Sequence, residues 1–543
     1  MNENTPKIAV IGWDSASFQI IAPLLEAGAL PNLQRLMERG AWGPLTSTLH
    51  PLSPTAWASF MTGMNPGKHG IFDFVSLNRD GTFRVANGGA VQTQTLWGRL
   101  SRAGRRVAVV NVPMTYPPEA VNGALIAGMD APRIDRAFTH PPQLAARLAE
   151  QFGVYRVGVA ARGRPWESVA AFTERYVSAL VQSVRQRGDV TCHLLQTHPV
   201  DFLTAVFTAP DRVQHALGHL MTRPISPGDG IGRVYRACDD ALGRILNCLG
   251  DDRLVVVMSD HGACAYRRTF ELGTWLRQEG WLTMRPAPPA TPLVERLAPL
   301  KRRLNRLTGR IAQEKPRLEQ FLNRIVWPET KAFALGAFGS IFINTRLRFP
   351  GGAVEPDSPE YESICRRISE QLLAVEDPET GDPIVRAVHR ASAVYHGPCA
   401  SLAPDLLVET HPDYFVRNNL DHQEGRVTYP AGRYAGRSLA HTGRHTPEGM
   451  VVAAGFPFVA GQKPPGAAII DLAPTILHLG GLPVPAAMDG QPLVGWLDER
   501  YRQTHPVTRV DSKPADPGGK TPAYSEQEAA AVQARLQDLG YLD

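Results

Sequence analysis

Short apolar runs rich in β-branched residues alternate with longer segments of helical pattern, and this alternation constrains the fold of the 543-residue chain most strongly. Runs of this length without a polar face are typical of strands that are buried on both sides. The runs are KIAVIGW (7–13), RVAVVNV (106–112), DFLTAVFT (201–208), RLVVVMS (253–259), PDLLVET (404–410) and GMVVAAG (449–455). The alternation predicts an α/β fold with a largely parallel central sheet and helices on both faces.

The composition argues against several classes of protein. Hydrophobic residues make up 43% of the chain and charged residues 20%, which is typical of a globular protein. The net charge of +5 is small for this length and gives no case for a nucleic-acid polymer as partner. The six cysteines include no C-x-x-C pair, which disfavours a thiolate zinc site and a disulfide framework. No signal peptide or membrane-spanning run is visible, so we expect a cytoplasmic protein without a membrane partner.

Residues 265–345 interrupt the alternation. This segment is rich in Arg, Leu and Pro and has no buried-strand pattern before AFGSIFIN (337–344). We interpret it as a mostly helical insertion that divides a core domain into residues 1–264 and 346–502, followed by a linker and C-terminal helix over 503–543. The basic side chains of the insertion favour a solvated helix face over a ligand clamp. They are Lys301, Arg302, Arg303, Arg306, Arg310, Lys315, Arg317 and Arg324.

Polar side chains follow three of the predicted strands at the edge where such sheets bind ligands. Asp14 follows the first run, and Asp211 and His215 follow the third. Asp260 and His261 come directly after the fourth run. Asp211 and His215 are four residues apart, so they share one face if this segment is helical. Three strands that end in metal-type ligands predict a metal centre at this edge.

The stretch HTGRHTPEG (441–449) adds two further imidazoles, His441 and His445, ahead of the last apolar run. Carboxylates and imidazoles without thiolates suit Zn²⁺, with Mn²⁺ or iron as alternatives, and two such sets suit a pair of divalent ions. A pair of ions can clamp an in-line displacement at phosphorus. The pattern therefore points to phosphoryl-transfer chemistry.

The stretch PLSPTAWASFMTG (51–63) places Ser53 and Thr55 at the mouth of a predicted helix. A hydroxyl there can cap the helix by accepting a hydrogen bond from a first-turn N–H group. It can also act as a nucleophile, because a helix N-terminus favours anions and a metal-bound hydroxyl is activated near neutral pH. The residues alone leave both roles and both hydroxyls open.

Seven motifs together resemble the alkaline phosphatase superfamily, and most closely its type I phosphodiesterase/nucleotide pyrophosphatase branch with its prokaryotic phosphohydrolase and phosphomutase relatives. They span residues 8–491 and are IGWDSASF, PLSPTAWASFMTGMNPGKHGIFDF, VVNVPMTYPP, APDRVQH, MSDHG, GRHTPEG and IIDLAPTILHLGGLPVPAAMDG. The resemblance implies an alkaline phosphatase-like fold. It also implies a metal-dependent hydrolase of phosphoric esters, of phosphodiesterase or nucleotide pyrophosphatase type, that works through a covalent phospho-serine. The implied substrate is a small phosphodiester, nucleotide or sugar phosphate.

The resemblance also implies residue roles. Two groups of three ligands would each hold one ion: Asp211, His215 and His445, and Asp14, Asp260 and His261. The spacing to Thr62 and Gly63 makes Ser53 the nucleophile and a bridging metal ligand, with Thr55 as first-turn cap or second choice. The HTPEG context favours His445 over His441.

One departure from the family pattern leaves the substrate open. Nucleotide pyrophosphatases place an Asn shortly after the nucleophile helix, whereas the corresponding stretch of this chain reads Ile71-Phe72-Asp73-Phe74 and lacks it. Asn111 and Tyr116 could supply polar contacts instead, or could serve the structure of their loop. Other interpretations are a phosphomutase of the cofactor-independent phosphoglycerate mutase type, a sulfatase-like hydrolase, or a non-catalytic binding protein on the same scaffold. The position of the insertion, after His261, counts against the mutase.

Overall fold

A computed structural model describes residues 7–159, 161, 167–250, 253–286, 317–336, 338–418, 425–432, 441–464, 466–511 and 524–538. The strands β1 to β22 are Lys7–Trp13, Gly40–Thr46, Val75–Leu77, Phe83–Val85, Val107–Val110, Gly123–Ile126, Thr139–His140, Phe202–Phe207, Arg253–Met258, Gly262–Ala265, Arg268–Glu271, Ala332–Ala334, Ser340–Ile343, Val385–Arg390, Leu406–Thr410, Tyr414–Arg417, Thr428–Pro430, Gly443–Thr446, Glu448–Ala454, Ala467–Ala468, Val484–Pro485 and Arg509–Val510.

The helices α1 to α16 are Phe18–Glu26, Pro31–Glu38, Ser53–Thr62, Pro66–His69, Leu96–Arg102, Leu144–Phe152, Val169–Thr197, Ala209–Leu217, Gly230–Leu249, Leu272–Gln278, Arg317–Arg324, Pro359–Leu373, Ala391–Val394, Leu472–Leu479, Glu499–Thr504 and Glu526–Asp538. Short 3₁₀ helices are Gly88–Ala90, Arg136–Phe138, Gly218–Thr222, Trp327–Glu329, Ala400–Leu402, Ile469–Asp471 and Val494–Trp496.

A nine-stranded sheet forms the centre of the molecule, in the order β20-β2-β19-β9-β1-β8-β5-β6-β7. The strands from β9 to β6 run parallel, while β19 is antiparallel to both of its neighbours and β7 to β6. Strands β8 and β5 are buried along their whole length, in keeping with sequences that are apolar except for Thr204. The prediction of an α/β fold with a largely parallel sheet is confirmed.

The long helix α7 contains the segment 173–196 and packs along α9. Its start is fixed by Ser168, whose hydroxyl accepts a hydrogen bond from the N–H of Ala171 at 3.2 Å. Helix α9 begins in the same way, because the carboxylate of Asp229 accepts from the N–H of Gly232 at 2.9 Å. Both helices cover the sheet with an apolar face, and each fully buried Leu or Val there contributes roughly 1.5–3 kcal/mol.

A four-stranded antiparallel sheet in the order β12-β13-β15-β14 forms a second unit with its own core. The apolar run 404–410 lies here as β15 and not in the central sheet. Within 265–345, the described residues include β11, β12 and β13 beside α10 and α11. The second sheet joins strands from both sides of residue 345. Of the basic side chains predicted on the insertion, those from 301 to 315 lie outside the described residues.

The C-terminal helix α16 packs on the core through Val532 and Leu536, which are buried. The hydroxyl of Tyr524 donates to the carbonyl oxygen of Asp130 at 2.6 Å, and Arg535 donates to the carbonyl oxygen of Met129 at 3.1 Å. These bonds fix the loop that follows β6. Among the helices in the described ranges, none combines the length and the apolarity needed to cross a membrane.

Candidate active site

Carboxylates and imidazoles from distant parts of the chain meet at the carboxyl edge of the central sheet. Asp14 follows β1, Asp211 lies in the first turn of α8 after β8, and Asp260 and His261 follow β9. His445 joins them from β18, because β18 pairs with β10 and places His445 opposite Ala263. All of these ligand-type side chains are buried. Parallel strands that end at one edge explain why residues so far apart in sequence share one site.

One group of ligand atoms consists of Asp211, His215 and His445. The Nε2 atoms of His445 and His215 lie 3.0 and 3.2 Å from Oδ1 of Asp211, and 2.8 Å from each other. Ligand atoms around a tetrahedral zinc ion with bonds of about 2.05 Å are separated by about 3.3 Å. The observed triangle therefore has about the size of one coordination site.

The backbone orients all three site histidines. In each ring Nδ1 lies within hydrogen-bond distance of a carbonyl oxygen, which can only accept, so a neutral ring with its proton on Nδ1 would present the lone pair of Nε2 to a bound ion. The acceptors are the carbonyl oxygens of Gly443 for His215 at 3.0 Å, Pro51 for His445 at 2.7 Å, and Gly262 for His261 at 3.2 Å. A Cβ on Gly443 would collide with the carbonyl oxygen of Gln214, so the close approach requires glycine.

The second group consists of Asp14, His261 and, again, Asp211. Asp260 lies beside it, with Oδ2 at 3.1 Å from Nε2 of His261. The other carboxylate oxygen of Asp260 accepts from the N–H of Ser15 at 3.1 Å. This N–H points inward because Ser15 adopts a left-handed backbone with a φ of 66°. The sequence predicted separate ligand sets, whereas the structure places Asp211 next to both groups.

The charges of this centre are poorly balanced by the protein itself. Within the described part of the chain, neither carboxylate oxygen of buried Asp14 has a hydrogen-bond partner. Burial, together with the nearby Asp260 and Asp211 carboxylates, raises the pKa of Asp14 well above its ordinary value. Burial lowers the pKa of His445 to about 3. An orphaned buried carboxylate beside imidazole lone pairs is what a divalent cation would stabilise, so the residues fit metal ions.

Ser53 lies at this centre as the first residue of α3, with its Oγ 3.2 Å from Nε2 of His261. Its side chain is fully buried, and Pro54 follows it in the first turn. Thr55 is also buried, but its hydroxyl has no hydrogen-bond partner among the described residues. The prediction that Thr55 caps the helix is therefore wrong, because the chain enters α3 through Leu52 without a side-chain cap.

Two further residues lie at the centre: His441, which the motif context disfavours relative to His445, and Arg212, which the sequence motifs did not single out. The ring of His441 stacks on His215 with centroids 4.4 Å apart, and its Nε2 is buried without a partner in the described ranges. The guanidinium of Arg212 lies 3.8 Å from Oδ2 of Asp211. Arg212 is adjacent to Asp211 in the APDRVQH motif, and this is the signal that could have identified it.

Asn111 and Tyr116 serve the structure of their loop. Asn111 accepts a hydrogen bond from the hydroxyl of Tyr155 and donates to the carbonyl oxygen of Ala127 at 3.1 Å. The hydroxyl of Tyr116 donates to Glu528 in α16 at 3.3 Å. Their polar atoms are thus engaged by neighbouring elements. The structure places Asp73 in the stretch after α4, where it is buried.

Residues 8–446 match the family described as type I phosphodiesterase / nucleotide pyrophosphatase. The chain belongs to this family. A type I phosphodiesterase / nucleotide pyrophosphatase is an enzyme that hydrolyses phosphoric ester bonds, and the site described above lies within the matched residues. The resemblance predicted from the motifs is confirmed. No curated protein matches the chain.

Solved structures with similar folds confirm the alkaline phosphatase-like architecture of this phosphodiesterase-family chain. Murine ectonucleotide pyrophosphatase / phosphodiesterase 5, in an inactive form with AMP, is 12% identical with a TM-score of 0.51, covering 91% of this chain and 100% of its own. Phosphonoacetate hydrolase from Sinorhizobium meliloti 1021, with phosphonoformate, is 15% identical with a TM-score of 0.53, covering 86% and 94%. A variant of the alkaline phosphatase PafA is 13% identical with a TM-score of 0.51, covering 92% and 100%.

Proposed function

We propose that this phosphodiesterase-family chain hydrolyses small phosphoric esters with two divalent ions, through a covalent phospho-serine at Ser53. One observation carries the proposal. The hydroxyl of Ser53 lies 3.2 Å from His261, in a buried centre where two groups of ligand atoms share Asp211. A structural serine at a helix start would need none of these neighbours.

We propose Zn²⁺ as the ion, with Mn²⁺ or iron as alternatives. Asp211, His215 and His445 would hold one ion, Asp14, Asp260 and His261 would hold the other, and Ser53 would bridge between them. Bound ions would lower the pKa of a coordinated hydroxyl and would neutralise charge on the phosphoryl oxygens. The carbonyl contacts of the three histidines hold their rings in the orientation that this coordination needs.

Helix α3 prepares Ser53 for attack on an anion. As the first residue of the helix, Ser53 lies at the positive end of the helix dipole, where first-turn N–H groups lack intrahelical partners. A phosphoryl group bound there would be stabilised by these N–H groups. Ser53 is buried beside these ligand-type side chains.

The proposed reaction has two displacements at phosphorus. In the first, Ser53 Oγ loses its proton and bonds to phosphorus while the bond to the leaving oxygen breaks, and the leaving oxygen takes up a proton. In the second, water attacks phosphorus, the bond to Oγ breaks, and Ser53 regains a proton. The products are the alcohol and the phosphate or phosphate monoester.

The substrate class is proposed from the family, which comprises phosphodiesterases and nucleotide pyrophosphatases. We propose a small phosphodiester, nucleotide or sugar phosphate. The stretch 71–74 lacks the Asn that the family resemblance implies there, which argues against a preference for nucleotide diesters.

The test is to assay the Zn²⁺-loaded protein with bis-nitrophenyl phosphate, nitrophenyl phosphate and nitrophenyl sulfate, and to quench it with acid during turnover. We expect phosphate ester hydrolysis and a phosphoryl group on Ser53 by peptide mass spectrometry. Preferential turnover of the sulfate would show a sulfatase. No turnover despite bound metal would contradict the proposal and favour a mutase or a binding protein.

A further inference from the structure

Two cysteines face each other across the helix pair α7 and α9. Cys192 belongs to α7 and Cys248 to α9, and both are half-buried, so that small molecules in solution can reach their thiols. The thiol of Cys192 is hydrogen-bonded to that of Cys248. The side-chain amide of Gln196, one turn after Cys192, donates to Sγ of Cys248 at 3.8 Å. The two sulfurs are therefore neighbours.

The register of the two helices accounts for this contact. Asp189 of α7 pairs with Arg244 of α9, and further along both helices Gln196 contacts Cys248. The helices thus run parallel here. Cys192 lies between Asp189 and Gln196 in α7, so the register places it beside the turn of α9 that begins at Arg244 and ends at Cys248.

The backbones of the two helices approach closely one turn before Cys192. A Cβ on Gly188 would lie only 3.1 Å from Cβ of Ala241 and 2.8 Å from the guanidinium of Arg244. A disulfide bond requires Cα atoms about 4.4–6.8 Å apart. Neighbouring helices reach such separations where a small residue lets their backbones approach, as Gly188 does here. The packing therefore fits a covalent bond between the two sulfurs.

The remaining cysteines differ from this pair. Cys238, Cys365 and Cys399 are buried, and burial raises the pKa of the Cys365 thiol to about 12. Buried thiols in apolar surroundings are inert. They agree with the sequence, which disfavours a disulfide framework. Cys192 and Cys248 are a separate case, because they combine access from solvent with mutual contact.

We propose that Cys192 and Cys248 form an oxidation site, at which a low-molecular-weight disulfide such as glutathione disulfide creates a reversible disulfide bond between α7 and α9. In the first step Cys248 loses its proton and attacks one sulfur of glutathione disulfide, the S–S bond breaks, and one glutathione leaves as a thiol. In the second step Cys192 loses its proton and attacks the sulfur of Cys248, and the second glutathione leaves. Two cysteine thiols are oxidised, and one glutathione disulfide is reduced to two thiols.

The environment of Cys192 sets the order of the two attacks. Burial, together with the hydrogen bond to Cys248, raises the pKa of Cys192 to about 12. The thiolate is the nucleophile in disulfide exchange, so Cys192 is a poor first attacker. After the first step it lies next to the mixed disulfide, and this proximity favours the second attack.

The bond would close a loop of the chain that contains β8 and α8, with Asp211 and His215. A disulfide stabilises a protein mainly by restricting its unfolded chain. Oxidation should therefore stabilise the segment that supplies these two ligand-type side chains. The inference does not depend on the proposed function, since neither the bond nor its formation involves a metal ion or a phosphoric ester.

The test treats the reduced full-length protein with glutathione disulfide under native conditions, blocks free thiols with N-ethylmaleimide, and maps the peptides by mass spectrometry. We expect a Cys192–Cys248 cross-linked peptide, the loss of two alkylated thiols, and reversal by dithiothreitol. The melting temperature should rise by about 2–5 °C on oxidation. Cys192→Ser should stop at a glutathione adduct on Cys248, without the rise. In Cys248→Ser, adduct formation on Cys192 should be at least about 10-fold slower than on Cys248.

Cys264→Ser is the matched control, because Cys264 is also half-buried but lies on β10, outside the helix pair. This variant should form the same cross-link at the wild-type rate. A wild-type protein that accumulates the glutathione adduct on Cys248 without closing the bond would overturn the inference. A protein whose cysteines stay reduced, or cross-link in another pairing, would overturn it as well.

Discussion

Asp14 and Asp405 are both buried aspartates, with 1% and 7% of their surface exposed, but the protein treats them differently. Asp405, in the second sheet, accepts hydrogen bonds from the N–H of Ile343 at 2.7 Å, from Arg348 at 2.6 Å and from Tyr361 at 2.7 Å. Asp14, at the edge of the central sheet, has no such donor within the described residues.

This difference is the one expected between a carboxylate that stabilises the fold and one that would hold a cation in the proposed function. A buried charge is costly unless it is paired, so a fold that needs Asp405 only for stability surrounds it with donors. Asp14 lacks such donors, and the neighbouring Asp260 and Asp211 carboxylates make its negative charge still less favourable. Under the proposed function, a bound cation would be the partner of Asp14.

The largest predicted effect is a loss of activity when Ser53 of the candidate site is substituted, with little change in stability. Ser53→Ala should reduce kcat at least about 10³-fold, because its hydroxyl is the attacking group in the proposed reaction. Bound metal, measured by mass spectrometry of the purified protein, should remain near the wild-type amount. Ser59→Ala is the control in the same helix, since its hydroxyl contacts His69 at 3.0 Å and should affect stability alone. Full activity in Ser53→Ala would show that another group attacks phosphorus.

The two aspartates themselves give the next prediction. Asp405→Asn should lower the free energy of unfolding by about 2–3 kcal/mol, because it breaks a largely buried ion pair with Arg348. Asp14→Asn should leave the metal-free protein equally stable or more stable, and should weaken metal binding at least about 100-fold. Urea denaturation with a chelator and metal titration measure the two quantities. A large loss of stability in metal-free Asp14→Asn would remove the contrast between the two aspartates.

The pH dependence of stability sharpens the contrast further. Because the pKa of Asp14 is raised above its ordinary value of 3.8, the folded metal-free protein binds a proton that the unfolded chain releases. This contribution to stability is present below pH 4 and is lost as pH rises through the raised pKa. The lowered pKa of His445 acts in the opposite direction in both proteins, so the wild type is compared with Asp14→Asn.

Urea denaturation of both proteins in chelator between pH 4.5 and 7 measures this difference. The wild type should lose stability relative to Asp14→Asn as the pH rises. Parallel curves over this range would show that Asp14 is not an uncompensated buried carboxylate.

The smallest predicted effect concerns Thr55, the second hydroxyl at the start of α3. Thr55→Val keeps the shape of the side chain and removes a buried hydroxyl that has no partner among the described residues. The free energy of unfolding should change by less than about 1 kcal/mol, in the stabilising direction, with activity retained. A loss of more than that would reveal a hydrogen bond to Thr55 in the folded protein.

The central sheet and the site could be predicted from the sequence because the patterns that indicate them lie within short segments. Asp14, Asp211 and Asp260 each follow a strand whose apolar pattern is unmistakable, and parallel topology brings such ends together. The run 404–410 has the same pattern but lies in an antiparallel sheet, since strand partners are decided by contacts far along the chain.

Other features of the site depend on backbone geometry that no sequence pattern reports. The carbonyl oxygen of Pro51, which lies nearly 400 residues earlier in the chain, orients His445. Phe338, between β12 and β13, stacks on the same ring. The sequence favours Thr55 as a first-turn cap or second-choice nucleophile, whereas the chain enters α3 through Leu52 without a side-chain cap.

Anomalous X-ray diffraction from crystals grown with Zn²⁺ would locate the proposed pair of ions. We expect two anomalous peaks, one between Asp211, His215 and His445, and one between Asp14, Asp260 and His261 with Ser53 within reach. A protein without a peak beside Asp14, or with zinc bound only on its surface, would contradict the proposal.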